Sequence, residues 1–219
     1  MNSMKFSDLI ENPSPRCACL LVLDTSSSMS GAPIDELNEG LRTFIHELQK
    51  DEVAAFSVEL AIIEFGAQVR EVLPFTTVAG LDNVPSLEAN GMTPMGSAVE
   101  LALQKLEERK ESYKRAGVAY YQPWMVLISD GAPNDAWSQA AVQAKTLAST
   151  RKLVSLPIGV QGADLSVLGE FSNKPAVPLS GLKFHEFFVW LSASMSQVSA
   201  SNSTTAGVAL PAMDSWGSI

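Results

Sequence analysis

Asp24, Ser26 and Ser28 alternate in the run Asp24-Thr-Ser-Ser-Ser28, directly behind the apolar segment Cys17-Ala-Cys-Leu-Leu-Val-Leu23. One carboxylate and two hydroxyls thus stand where a buried strand should end. An all-oxygen, charge-poor donor set of this kind suits a hard divalent cation such as Mg²⁺ rather than zinc or an electron carrier. In one extended strand, residues four apart would lie roughly 13 Å from each other at about 3.3 Å per residue. Three ligands at about 2.1 Å from one ion are impossible in that geometry. The chain must curl at Asp24, and any site here is a loop at a strand end.

Two further segments carry matching chemistry. Thr93 offers a hydroxyl inside Gly91-Met-Thr-Pro-Met-Gly96, a constrained turn just before a helical pattern. Asp130 ends Trp124-Met-Val-Leu-Ile-Ser129, the most apolar strand of the chain, and Gly131 behind it frees the backbone to turn. Open α/β sheets bind ligands outside the carboxyl ends of strands, where strand order reverses. Asp24 and Asp130 would end two strands that are neighbours across such a point. The combined set is two carboxylates and three hydroxyls. An octahedral ion held by five or fewer protein oxygens keeps a position open, and an anionic oxygen from a partner's Glu or Asp is its best occupant. That is the logic of binding more than of catalysis.

The elements that must position these residues alternate along the chain. Residues 17–24 read as a buried strand, followed by a helix opened by Pro33 and running to about 50, with Ile34, Leu37, Leu41, Phe44, Ile45 and Leu48 at helical spacing. Strands at 56–65 and 69–75, joined by a short turn at Gly66, read as an antiparallel hairpin at a sheet edge. A helix over 96–116, a strand at 124–129, a helix over 135–150 and a strand at 153–159 follow. A short helix near 163–172, an edge strand near 176–179 and a helix near 183–198 complete the pattern. The alternation predicts a single α/β domain, a doubly wound (Rossmann-like), mostly parallel sheet with one antiparallel edge strand and helices on both faces. Residues 1–14 read as an N-terminal extension, 15–198 as the domain, and 199–219 as a small, polar, flexible linker ending in an apolar tail. That tail, 208–219, either packs back on the domain or is offered to a partner, and packing back is the favoured reading.

Composition bounds the function classes. A length of 219 residues with 46% hydrophobic content suits one domain with a large core. No apolar run approaches the roughly 20 residues of a membrane span, and the N-terminus lacks the apolar stretch of a secretory signal. A net charge of −9 argues against a nucleic-acid partner, which needs clustered Lys and Arg. Cys17 and Cys19 read as small buried thiols, and a chain this size without a disulfide framework fits a reducing cytoplasm.

The set Asp24-Thr-Ser26-Ser-Ser28, Thr93 and Asp130-Gly131 resembles, in order and spacing, the metal-ion-dependent adhesion site of von Willebrand factor A domains, over roughly residues 15–200. Many relatives carry Gly where this chain has Ser27, which leaves every candidate ligand in place. The text around the motif, Leu23-Asp-Thr-Ser-Ser-Ser-Met-Ser-Gly-Ala-Pro-Ile34 and Gly91-Met-Thr-Pro-Met-Gly96, resembles the bacterial TerY-like branch of tellurium-resistance proteins. The resemblance implies that Ser26, Ser28 and Thr93 touch Mg²⁺ (Mn²⁺ or Ca²⁺ as alternatives), with Asp24 and Asp130 acting directly or through water. It implies a cytoplasmic adaptor or scaffold in tellurite or metal-stress resistance that grips a partner's Glu or Asp, the partner being in some genomes a kinase or phosphatase.

Other readings compete residue by residue. Alone, Ser26 and Ser28 would be helix caps or turn residues, and Ser27 reads as a solvated loop residue. Asp135 reads as an N-terminal cap of the helix that follows it, and Glu64 as an exposed strand residue. His46 and His185 lack partners at metal spacing, and the four tryptophans read as packing residues. The cluster Glu107-Glu-Arg-Lys-Glu111 with Lys114 and Arg115 reads as a solvated helix face with i,i+4 pairs. A haloacid-dehalogenase-like, Mg²⁺-dependent phosphohydrolase would also place an Asp at the end of its first strand. It needs a second carboxylate two residues on as general acid, and Ser26 stands there. Phosphate-loop, dinucleotide and Ser-His-Asp patterns are missing, so the chain reads as non-enzymatic. An assembly subunit partnering an ATPase would use the same site with a different partner.

Overall fold

A computed structural model describes residues 12, 14–179, 181 and 183–213. Strand β1 (Cys17–Asp24) is buried along its whole length, as a strand covered on both faces must be. Alternate side chains point to opposite faces, so β1 serves two cores at once. Cys17, Cys19, Leu21 and Leu23 join one core, and Ala18, Leu20 and Val22 the other. Helix α1 (Ala32–Lys50), with Pro33 in its first turn, buries Leu37, Leu41, Phe44 and Leu48 in the first core. Each such side chain contributes about 1.5–3 kcal/mol through burial.

The remaining elements are helix α2 (Glu52–Ser57), strands β2 (Val58–Phe65) and β3 (Val69–Thr77), helix α3 (Met95–Ala116) and strand β4 (Trp124–Ser129). Helix α4 (Ser138–Ser149), strand β5 (Val154–Gly159), helix α5 (Leu165–Gly169), strand β6 (Val177–Pro178) and helix α6 (Phe184–Ser199) follow. Single 3-10 turns stand at Ser27–Met29 and Val78–Gly80. The six strands lie in the order β3-β2-β1-β4-β5-β6, with only the β2–β3 pair antiparallel. This is the α/β, mostly parallel, doubly wound sheet that the alternation of elements predicts. Strand order reverses between β1 and β4, and both strands run toward the same end, so Asp24 and Asp130 emerge side by side.

Beyond β5 the sheet edge is blunted. Ser155 and Gly159 turn their carbonyls outward, to Ser172 Oγ (2.8 Å) and the Leu179 N–H (2.8 Å). Pro157 occupies the outward position between them and has no N–H to leave unpaired. After α6, Tyr121 Oη donates to the carbonyls of Ser199 (3.1 Å) and Ser201 (2.7 Å), and Trp190 Nε1 to that of Pro211 (2.9 Å). Val208 and Met213 pack against the first core. The rest of the apolar tail, 214–219 with Trp216, lies outside the described residues, as does the N-terminal extension apart from Asn12 and Ser14.

Four expectations need correcting. The strand expected from residue 56 begins at Val58, because Asp51 Oδ1 accepts the Ala54 N–H (3.1 Å) and caps helix α2 over the preceding residues. Glu64 is buried rather than exposed, and its carboxylate receives Arg70 Nε at 2.5 Å. The charged face of α3 is not uniformly solvated. Arg109 turns inward and holds Glu59 with Nε and Nη2, each at 2.6 Å, while Tyr113 Oη donates to the same carboxylate. Lys110 pairs with Glu107 and Lys114 with Glu111 at i,i+3 spacing, rather than the i,i+4 expected. Asp135 caps, but not the helix that follows it. Helix α4 starts only at Ser138, and Asp135 serves the first turn of α3 instead.

Candidate functional site

The curl at Asp24 has a local cause. Its Oδ1 accepts the Ser26 N–H at 2.8 Å, the turn that aspartate builds with the backbone two residues on. The loop is then pinned from outside. The Thr25 N–H donates to Phe65 O (2.8 Å), the Asn90 N–H to Thr25 O (2.7 Å), and the Ser27 N–H to Gly91 O (3.1 Å). Glycine is required where these segments meet. Gly91 has φ +85°, and a side chain there would lie 2.3 Å from the Ala67 nitrogen; one at Gly66 would lie 2.5 Å from Asn90 O.

The hydroxyls gather as a result. Ser26 Oγ lies 3.0 Å from Ser28 Oγ, and Ser28 Oγ donates to Asp130 Oδ1 at 2.9 Å. Asp24 and Ser26 are buried, Thr93 and Asp130 half-buried, and Ser28 exposed, so the cluster opens toward solvent. Thr93 comes from the other side. Its Oγ1 lies 3.6 Å from where a side chain on Gly131 would begin, and its backbone is laced to Asn134. The Thr93 N–H donates to Asn134 Oδ1 (3.1 Å), and the Asn134 N–H returns to Thr93 O (3.1 Å). Asp135 accepts the N–H groups of Gly96 (2.9 Å) and Ser97 (2.8 Å), which fixes the start of α3 behind Thr93. Four of the five sequence-derived candidates are thus linked by hydrogen bonds, and Thr93 stands beside Gly131, the residue after Asp130.

Sequence reasoning missed Ser129, the buried residue before Asp130. Its Oγ donates to Asp24 Oδ2 at 2.5 Å and accepts the Gly131 N–H at 3.1 Å, tying the two strand ends together. Its place at the end of a wholly apolar strand was the available signal. Asp135 was legible only as a cap of the helix that follows it, because its partners, like that of Asn134, lie about forty positions away.

Burial holds the Asp24 carboxyl above its ordinary range. Hydrogen bonds from Ser129 and Ser26 oppose that rise, and the neighbouring Asp130 charge adds to it. The donors fit a hard divalent cation. Neighbouring oxygens in an octahedral shell of about 2.1 Å radius lie about 3.0 Å apart, close to the Ser26–Ser28 and Ser28–Asp130 separations. These are also hydrogen-bond lengths, so the same groups can satisfy one another or an ion with little rearrangement. Among the described residues no group of three or more His, Cys, Asp or Glu is placed to hold a metal ion, and the donors of this cluster are oxygens.

The family model described as the von Willebrand factor type A domain matches residues 20–197. No curated protein matches significantly. Among solved structures, the open conformation of the pilus adhesin SpaC from Lactobacillus rhamnosus GG superposes with a TM-score of 0.65 at 14% identity, over 84% of this chain and 30% of that one. Proximal thread matrix protein 1 from the mussel byssus gives 0.59 at 15% identity, over 84% of this chain and 49% of that one. The ArnB paralog VWA2 from Sulfolobus acidocaldarius gives 0.58 at 14% identity, over 82% and 45%. This chain thus spans less than half the length of each, and at such identities the likeness is one of fold.

Proposed function

This chain belongs to the von Willebrand factor type A domain family, and on that premise we propose that it is a non-enzymatic adaptor that grips an acidic side chain of a protein partner through a divalent cation. Domains of this family commonly serve as protein-interaction modules. One observation carries the reading here: Ser26, Ser28 and Asp130 form a chain of oxygens at octahedral-edge spacing, open to solvent, with the Asp24 carboxylate on the Ser26 N–H and Thr93 beside Gly131.

Ser26, Ser28 and Thr93 would hold Mg²⁺ (or Mn²⁺ or Ca²⁺) through their hydroxyls, with Asp24 and Asp130 directly or through water. Bound there, the ion supplies a Lewis-acidic position for a partner's Glu or Asp. The protein's own residues do the rest. Asp24 bends the loop, Ser129 orients the Asp24 carboxylate, and Asp135 with Asn134 holds Thr93 in place. Ser26 stands where a phosphohydrolase of the dehalogenase type would need its general acid, which favours binding over hydrolysis.

The finer assignment follows the sequence around the site. The runs Leu23–Ile34 and Gly91–Gly96 support a TerY-like, tellurite- or metal-stress-resistance adaptor, with a kinase or phosphatase as partner. Two free, buried thiols and a charge of −9 support a cytoplasmic protein that does not bind nucleic acid. No described helix is long and apolar enough to cross a membrane. Affinity capture tests the proposal in three arms: protein with Mg²⁺, protein with EDTA, and Asp24→Ala with Mg²⁺. A partner retained only in the first supports it, and identical partners in all three overturn it.

A further inference from the structure

At the opposite end of the sheet from the oxygen cluster lies a groove of about 1320 Å³. It runs past the first residues of β4 and β5, the carboxyl ends of α3 and α4, and the strap 204–213. Its size exceeds the roughly 300–1,000 Å³ of an ordinary small-molecule site. Five cationic side chains line it, Lys110, Lys114, Arg151, Lys152 and Lys174, against one carboxylate, Glu107. With Glu111, which pairs Lys114 from outside the lining, the local charge is +3 on a chain whose net charge is −9. Lys110 and Lys114 are paired along their own helix. Arg151, Lys152 and Lys174 are exposed and have no ion-pair partner among the described residues.

The backbone at the mouth of the groove is unusual as well. Helix α4 ends with the Arg151 N–H on Ala148 O (3.2 Å) and the Lys152 N–H on Leu147 O (2.8 Å), a closure that places Arg151 in the left-handed region. Glycine is the ordinary residue at such a position. Arg151, with φ 55°, is the one non-glycine residue with positive φ among the described residues. A strained cation beside two more unpaired cations is a local conflict of the kind that collects at binding surfaces.

We propose that this basic groove is a second, metal-independent docking surface for an acidic, partly apolar segment of a protein partner. Charge complementarity selects an acidic occupant, and Leu156, Val177 and Leu210 in the lining offer apolar contacts. A nucleic acid fits less well, since five cations on an otherwise acidic chain make a short phosphate track. An anionic membrane would need an outward basic face rather than a concave one. The lining on β5 stops at Pro157, which pairs with Leu127, three residues or roughly 10 Å along the strand before Asp130, so the two surfaces share no lining residue. The inference stands whether or not the cluster binds a metal.

The test is fluorescence polarisation with a labelled (Glu-Glu-Leu)4 peptide on the full chain, with EDTA present. Saturable binding is expected, weakening tenfold or more between 50 and 300 mM salt and unchanged in Asp24→Ala. The pair Lys152→Glu and Lys174→Glu should weaken it at least tenfold while circular dichroism stays native. Arg151→Gly separates binding from folding: it should raise the thermal midpoint by about 2–4 °C yet weaken the peptide severalfold. Absence of saturable binding, or binding indifferent to the charge reversals, would overturn the proposal. So would binding that needs Mg²⁺, or tighter binding of an oligothymidylate or of phosphatidylserine vesicles.

Discussion

Ser129 Oγ donates a 2.5 Å hydrogen bond to Asp24 Oδ2, joining the ends of two neighbouring strands from positions 105 residues apart in sequence. The bond gives one oxygen of a buried carboxylate a donor and leaves the other to shape the loop through Ser26. Ser129→Ala removes that donor. Metal-binding carboxylates that lose such support typically lose 10–100-fold in affinity. Calorimetric titration of Mg²⁺ into Ser129→Ala should therefore show affinity at least tenfold below wild type, and Ser129→Thr should recover most of it.

A cation that binds only the folded chain must stabilise it. At a hundredfold excess over its dissociation constant the gain is about 2.7 kcal/mol, or roughly 5–10 °C for a chain of this size. Differential scanning fluorimetry with and without Mg²⁺ should show that shift in the wild type. Asp24→Ala, Ser26→Ala and Asp130→Ala should each remove most of it, whereas Ser27→Ala should keep it. A shift equal in all five proteins would mean that Mg²⁺ binds elsewhere.

Glu59 sits in a buried ion network. Its buried carboxylate receives Arg109 through two bonds and Tyr113 through a third, with Arg16 Nε 3.7 Å away. Taking out one partner of a buried ion pair leaves an uncompensated charge, at about 3–5 kcal/mol. Glu59→Ala should lower stability by that amount in urea unfolding. The Mg²⁺ affinity of the folded fraction should stay the same, because β2 carries Glu59 at the end of the sheet away from the cluster.

Burial pushes the Cys17 thiol up to about 12, helped by the Glu59 charge, and Cys19 rises for the same first reason. Both folded values exceed the unfolded value of about 8.5. The thiols' contribution is therefore fully present below pH 8.5 and declines as pH climbs toward 12. The slope reaches at most about 1.4 kcal/mol per pH unit for each thiol. Urea midpoints measured between pH 7 and 10 should fall at the alkaline end, less so in Cys17→Ala/Cys19→Ala. Iodoacetamide at pH 9 should label the native protein far more slowly than the unfolded one, and equal rates would contradict the burial.

Much of this architecture was legible because the periodicities of burial are local. The run Cys17–Asp24 reads as a central strand since both of its faces are apolar, and α1 announces itself through Leu37, Leu41, Phe44 and Leu48. The helix α2 escaped notice because Val53-Ala-Ala-Phe56 suits either state, and the Asp51 cap decided between them. Glu64 and Arg109 were misread for one reason. A charged side chain looks solvated until a partner appears, and Arg70 and Glu59 stand 6 and 50 positions away.

The five oxygens of the candidate site were fixed by the sequence as a set of chemical types, and by one geometric necessity, that the chain cannot stay extended past Asp24. Their convergence was decided only by the tertiary structure. Strand order puts β1 beside β4, Gly91 and Gly66 let three segments meet without side chains between them, and Asp135 reaches from one loop to seat the helix behind Thr93. The basic groove belongs wholly to that second kind. Lys110, Arg151 and Lys174 lie in separate segments, and only the packing of α3, α4 and the 173–175 loop around the blunted edge of β5 gathers their charge. Hydrophobic pattern is a property of neighbours in sequence, whereas charge and coordination are properties of neighbours in space.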